Sequence, residues 1–279
     1  DLSSCVRSTT GWTNSKARLG YTAADMISEK SPMFLQQFIN RQGETVQFSR
    51  EQACRFAKEV ATDFNPIHDA YSKRFCVPGD LLFAHMVAQH GLAAQLECSF
   101  AGMVSADVPL RSVQQDDQWL LKDAADKNYL ILRQQGELVH DAAYIEALVK
   151  DYVRFSGQNF PHILQPLMQQ HQVMINPQRP LVIYERMSLQ FDRFGPSAPS
   201  LQLADCQLQV EGKRGLAILG FELIADGQYI GRGEKRMILS NLQPYNHEVM
   251  QQMVDFYNAR KLQFADRLPA SAKGEALCG

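Results

Sequence analysis

From Gln47 onward the apolar positions fall into readable periods. Ser49 stands where a helix N-cap belongs, and Gln52 is the matching partner three residues on. Ala53, Phe56, Ala57 and Val60 then repeat at helical spacing, which predicts a helix over 50–61. Pro78-Gly79-Asp80 opens a second predicted helix, GDLLFAHMVAQHGLA. Leu81, Leu82, Phe83, Met86, Val87 and Leu92 occupy every face of it, and a helix apolar all round has to be wrapped by other structure.

Strand-like runs follow at 95–104, 107–113, 118–121 and 129–135, and a helical stretch near 141–154 leads into the second half. There NFPHILQPLMQQHQV (159–173) predicts another apolar helix, with Pro161 in its first turn and Pro166 as a kink point. Four more strands are predicted. In 181–194, residues Leu181, Ile183, Met187, Leu189 and Phe191 share one face at period two. In 201–210 the apolar set shifts parity near Ala204, which predicts a bulge. The runs 215–225 and 229–239 are joined by Asp226-Gly227, a strong hairpin signal. Connections this short exclude parallel crossovers, so the strands pair antiparallel. Pro244 closes the pattern, and a last helix over about 246–262 leads into a tail. The repeat is one of element order, without repeat of residue identity. It predicts an α+β chain of two similar halves, each wrapping a sheet around one helix.

Composition leaves that picture intact and narrows the function. The chain has 279 residues, 45% of them hydrophobic and 21% charged, enough for a substantial core. A formal net charge of −2 without a basic cluster argues against nucleic acid as a partner. Cys5, Cys54, Cys76, Cys98, Cys206 and Cys278 are scattered, with no zinc-like spacing, as in a reduced cytoplasmic protein. No apolar run approaches the roughly 20 residues that cross a bilayer. The segment 1–32 is rich in Ser, Thr and Gly and reads as a tag, leader or extension, with Met33 or Met26 as the natural start.

The chemistry concentrates in DFNPIH, residues 63–68. Pro66 fixes its own φ and holds Asn65 extended, while the Asn65 side chain is suited to bond its own backbone, so the loop is stiff. Asp63 and His68 are then presented from either side of one turn. A carboxylate and an imidazole held together can bind one water, take its proton and return it.

DFNPIH, followed by Phe75-x-x-Pro78 and the apolar helix, resembles the signature of the MaoC-like (R)-specific enoyl-CoA hydratases. That resemblance implies a double hot-dog fold, two antiparallel sheets each wrapping a central helix. With the element order and composition above, the chain divides into an extension at 1–32, a first hot-dog at 33–140 with the motif, a second at 141–245 without it, and a helix and tail at 246–279. The resemblance also implies that Asp63 and His68 are the catalytic pair and that Asn65 shapes the loop. In the family a Gly backbone N–H polarises the thioester carbonyl. Here that position falls on His85-Met86 or on Leu81-Leu82, depending on the alignment, and neither keeps a Gly. The N–H groups of Gly79 and Asp80 at the helix start are the nearest substitute. Asn65, Gly79, Asp80 and His85 are accordingly the substrate-binding candidates.

The implied activity is hydratase or dehydratase chemistry, a lyase reaction on a 2-enoyl (3-hydroxyacyl) thioester of coenzyme A or acyl carrier protein, with no cofactor. A non-catalytic acyl-thioester binding module and a hot-dog thioesterase are the alternatives. Several residues have plainer readings. His85 shares a face with Gln89 and lines a pocket or sits in the core. Asp69 has no companions spaced for a metal, and Cys76 has no evident base and reads as packing. RGEKR (232–236) reads either as a coenzyme A phosphate contact or as alternating charges on a solvent-facing strand. Phe155-Ser156-Gly157 marks where the second half would carry its own site loop. Two halves in one chain form an internal pseudo-dimer, with a homodimer as the open larger assembly.

Overall fold

The computed structural model describes residues 33–267. The proposed extension at 1–32 and the tail beyond 267 lie outside them. A short 3-10 turn, Met33–Phe38, precedes a small hairpin, β1 (Asn40–Gln42) and β2 (Thr45–Gln47). Helix α1 (Arg50–Arg55) starts as its sequence requires. Ser49 accepts from the Gln52 N–H, and the Gln52 side chain accepts in return from the Ser49 N–H at 3.0 Å. It ends in a wide turn, Phe56–Val60, closed by the Ala61 N–H on the Phe56 carbonyl.

Helix α2 (Gly79–His90) runs through the core, buried at every residue from Asp80 to Ala88. After it come β3 (Leu92–Phe100), β4 (Leu110–Gln115), β5 (Gln118–Lys122) and β6 (Asn128–Val139). Helix α3 (Ala142–Gly157) is N-capped by Asp141 and buries Ile145, Leu148, Val149, Tyr152, Val153 and Ser156, one stripe at helical spacing. A second wide turn, Phe160–Leu164, leads into α4 (Gln165–Gln170), directly ahead of Pro166. A proline ring clashes with the carbonyl four residues back, and a wider turn accommodates it.

The remaining strands are β7 (Val173–Met174), β8 (Leu181–Phe191), β9 (Ser200–Glu211), β10 (Arg214–Ala225), β11 (Gln228–Ser240) and β12 (Gln243–Pro244), followed by helix α5 (His247–Arg267). The parity shift near Ala204 is a bulge. Leu219 faces Cys206 while Phe221 faces Leu203, so two residues of β9 oppose Gly220. Asp226 and Gly227 both take positive φ, 50° and 72°, as a two-residue hairpin turn needs.

Ten strands form one antiparallel sheet in the order β1-β2-β4-β5-β6-β3-β8-β11-β10-β9. The two expected sheets are thus continuous: β3 pairs with β8 from Gln95↔Gln190 to Ser99↔Arg186. Pairing those strands removes two open edges whose backbone groups would otherwise need water. Helices cover one face of the sheet. There α2 and α3 pack together, with Phe83 and Tyr152 rings 5.1 Å apart, against apolar residues of β3, β6, β8 and β10. A second cluster joins Leu164 and Met168 to Leu208, Leu219, Met237 and Leu239 of the second half and to Met250 of α5. The chain is an α+β double hot-dog.

Candidate active site

The wide turn at the end of α1 aims the following loop inward. The Asp63 N–H bonds the Ala57 carbonyl at 2.7 Å, and Thr62 before it takes a positive φ of 51°. Asp63 Oδ1 accepts the Asn65 N–H at 2.8 Å, and Asn65 Oδ1 accepts the Ile67 N–H at 3.1 Å. Asn65 is extended, φ −62° and ψ 125°, as the following proline requires. Pro66–His68 then makes one 3-10 turn. His68 Nδ1 donates to the Cys76 carbonyl at 2.9 Å, which turns Nε2 toward Asp63 Oδ2, 3.5 Å away. That gap is long for a charge-assisted hydrogen bond, so the two groups face each other without closing. Their side chains are 22% and 12% exposed, Asp63 being the more open.

Burial alone would lower the His68 pKa. Hydrogen bonding to Cys76 and the charge of Asp63 outweigh it and raise the value to about 9. Near neutrality His68 is therefore imidazolium, a donor facing the Asp63 side chain across a narrow gap. Cys76 Sγ lies 4.0 Å from His68 Nδ1, so this thiol adjoins the pair rather than only filling space.

Helix α5 clamps the loop from outside. Tyr257 Oη accepts the Phe64 N–H at 3.4 Å and lies 3.2 Å from the Thr62 carbonyl and 3.0 Å from that of Gly157. Arg260 Nε donates to the Phe64 carbonyl at 3.0 Å, and Nη2 reaches both Asp69 oxygens at 2.6 and 2.5 Å. Lys58 adds a third contact to Asp69 at 2.7 Å. Burial would raise the Asp69 pKa, but the bonds from Lys58 and Arg260 prevail and lower it. Asp69 is thus an anchor for the clamp. Among the described residues no cluster suited to a metal occurs.

Behind the pair lies a buried polar cluster drawn from three distant segments. Asp80 on α2, Ser156 on α3 and Lys235 on β11 are 7%, 5% and 5% exposed. Ser156 Oγ donates to Asp80 Oδ2 at 2.6 Å and accepts from Lys235 Nζ at 2.5 Å. Lys235 also reaches the Ser156 carbonyl at 3.3 Å and sits 4.3 Å over the Tyr184 ring, whose hydroxyl bonds that of Tyr152. Asp80 Oδ1 has no partner among the described residues. Gly157 brings this cluster against the loop: a Cβ there would overlap the Ala61 carbonyl and stand 3.1 Å from the Asp63 Cβ. Asp80 and Lys235 both feel the charge of Asp63.

The site residues expected from sequence therefore separate. Asp63, Asn65 and His68 come together in one loop, with Asp80 behind them. Gly79 opens α2 beside Phe100 and Tyr184, where a Cβ would lie 3.0 Å from the Phe100 ring. The first helical N–H groups to reach a backbone carbonyl are those of Leu81 and Leu82, both on Pro78. His85 points elsewhere. It is 2% exposed, edge-on to Phe48 at 6.2 Å, and burial followed by the charges of Arg41 and His90 lowers its pKa to about 3. Gln89 does line a cavity, of about 420 Å³, with His90, Trp119 and His140.

Lys235 corrects the solvent-face reading of RGEKR. Met237 and Leu239 are buried at the same parity, and period two carries Lys235 inward with them. That alternation is the signal that could have found it. Ser156 ends α3 rather than starting a second site loop. Nothing in the local sequence of Tyr257 and Arg260 announces what they grip.

The family model described as "Protein of unknown function (DUF3581)" matches residues 33–248. No curated protein matches the chain. Among solved structures, a TesB protein of Mycobacterium avium subsp. paratuberculosis is 9% identical, with a TM-score of 0.40, over 75% of this chain and 99% of that one. An acyl-CoA thioesterase II, TesB2, of Mycobacterium marinum is 8% identical, TM-score 0.37, over 77% and 100%. A MaoC-like dehydratase is 8% identical, TM-score 0.34, over 75% and 98%. Overlap at this level leaves the architecture to be read from the chain's own topology.

Proposed function

The chain belongs to the DUF3581 family, and for it we propose hydration and dehydration of acyl thioesters, 2-enoyl to 3-hydroxyacyl, on coenzyme A or acyl carrier protein. One observation carries the reading. Asp63 Oδ2 and His68 Nε2, both partly buried, face each other 3.5 Å apart in a loop held by Asn65, Tyr257 and Arg260. A water seated beside the two atoms, within reach of both, would donate to the carboxylate and accept from the imidazolium.

In the forward direction Asp63 takes a proton from the water as its oxygen bonds C3 of the enoyl group. The C2–C3 π electrons move toward the thioester carbonyl, and His68 delivers its proton to C2. Asp63 then returns the proton to His68, and atoms and charge balance without a cofactor. Helix α5 and Asn65 supply the fixed geometry on which such positioning depends.

The test is incubation with crotonyl-CoA and longer 2-enoyl-CoAs, following loss of the enoyl absorbance. Turnover lost in Asp63→Ala and His68→Ala supports the reading. No turnover at any chain length, or turnover indifferent to both variants, defeats it. Release of free thiol from saturated acyl-CoA would mark a thioesterase instead, and binding without turnover a binding module.

A further inference from the structure

Asp80 sits at the second residue of α2, 7% exposed, with its two oxygens in unlike surroundings. Oδ2 accepts from Ser156 Oγ at 2.6 Å, and Ser156 Oγ accepts in turn from Lys235 Nζ at 2.5 Å. The hydrogen bonds therefore run one way, from Lys235 through Ser156 to Asp80 Oδ2. Oδ1 is left buried with no partner among the described residues. A buried bare carboxylate oxygen is costly, and two things relieve it: a proton on that oxygen, or a ligand group that bonds it.

The groups around Asp80 raise its pKa above the ordinary carboxylate value. Burial raises its pKa most, Lys235 and Ser156 pull it down, Asp63 raises it and His68 lowers it, with a net rise. Lys235 is itself made less basic by burial, against the charges of Asp80 and Asp63. Tyr152, Tyr184 and Cys98 complete the surroundings, each held in its neutral form by burial. Since Oδ2 already accepts from Ser156, a proton carried by Asp80 sits on Oδ1. The orphan acceptor then becomes a donor in search of an acceptor.

We infer that Asp80 is a catalytic hydrogen-bond donor, a neutral carboxylic acid whose Oδ1–H binds and polarises the thioester carbonyl, with Ser156 and Lys235 as positioning residues. This rests on the hydration reading, in which negative charge gathers on that carbonyl oxygen as water adds at C3. A neutral acid in a dry site stabilises such charge, whereas a carboxylate would oppose it. It also makes the site composite: the first half supplies the water pair and Asp80, and the second half supplies the residues that orient Asp80. Asp80 keeps its proton throughout, so the bond changes at Asp63, His68 and the substrate are unaltered.

The experiment uses the full chain with Asp80→Asn, Asp80→Leu and Ser156→Ala. Crotonyl-CoA is the probe, and fold is checked by melting. An Asn side chain can keep a donor at Oδ1 and an acceptor toward Ser156. Asp80→Asn is therefore expected to retain turnover within about tenfold, while Asp80→Leu loses roughly 10²–10³-fold in kcat. In infrared difference spectra the carbonyl stretch of bound crotonyl-CoA should move to lower frequency in the parent and Asp80→Asn, and not in Asp80→Leu. A folded Asp80→Asn as inactive as Asp80→Leu overturns the inference. If no enoyl thioester is hydrated at all, the hydration reading fails first. Asp80 is then judged on the free protein, by a protonated-carboxyl infrared band at neutral pH that Asp80→Asn removes and Ser156→Ala shifts. Absence of that band also overturns the inference.

Discussion

Two clusters of titratable groups meet in this molecule, and they are built in opposite ways. Asp63 and His68 lie five residues apart on one loop, partly open, their spacing fixed by Asn65 and Pro66 between them. Asp80, Ser156 and Lys235 come from α2, α3 and β11 and meet only in the core. The first cluster needs its loop held still. The second needs the two halves docked, since its members have no local reason to meet. The spacing of the pair is written in a hexapeptide, and its electrostatic surroundings are written in the tertiary fold.

The contact between the clusters is the place to break this comparison hardest. Gly157 lets α3 approach the loop, and the group it abuts is the Ala61 backbone carbonyl, which cannot swing aside. Gly157→Ala should cost about 3 kcal/mol of stability, at the upper end of overpacking effects, and lower hydration by displacing Asp63. Denaturant unfolding and crotonyl-CoA turnover check both parts. A variant as stable as the parent would show that the clusters are not tightly joined.

Next in size is the clamp, which acts on the loop alone. Arg260→Ala removes a two-oxygen contact to Asp69 and a bond to the Phe64 carbonyl, and should cost about 2 kcal/mol. A double-mutant cycle with Asp69→Asn should show most of that cost as coupling between the two residues. Additive effects would contradict the clamp.

Lys235→Met probes the buried cluster alone. With Asp80 neutral, the variant loses two hydrogen bonds to Ser156 and should cost about 1–2 kcal/mol. With Asp80 ionised, removing its counter-charge would cost roughly 3–5 kcal/mol. The unfolding midpoint therefore reports the state of Asp80 without any substrate.

The pH response of the pair is read on the parent chain and needs no change to either cluster's packing. His68 has a folded pKa raised from 6.5 to about 9, so folding favours its protonated form. That contribution is fully present below pH 6.5 and is lost as pH rises through about 9. Unfolding midpoints measured across this window should fall in the parent and stay flatter in His68→Gln.

The same contrast explains what could be read from the residues. The Ser49–Gln52 cap, the bulge beside Ala204 and the Asp226-Gly227 turn are local, and they are where their spacing puts them. Asp63, Asn65 and His68 are legible for the same reason. Fusion of the sheets through β3 and β8 is not legible, because it depends on how the halves dock. His85 looked available on a helix apolar all round, but wrapping that helix left its face against Phe48. Lys235 was within reach of the strand alternation and was masked by the charges flanking it. Tyr257 and Arg260 act on residues nearly 200 positions away, a contact only the fold creates.

The most direct measurement is incubation of the full chain with crotonyl-CoA in water labelled with heavy oxygen, read by mass spectrometry. The proposed chemistry predicts label on C3 of an intact 3-hydroxybutyryl thioester, falling roughly 10²–10⁴-fold in Asp63→Asn and His68→Gln. Label in a free carboxylate beside released coenzyme A, or no labelled product at all, would contradict it.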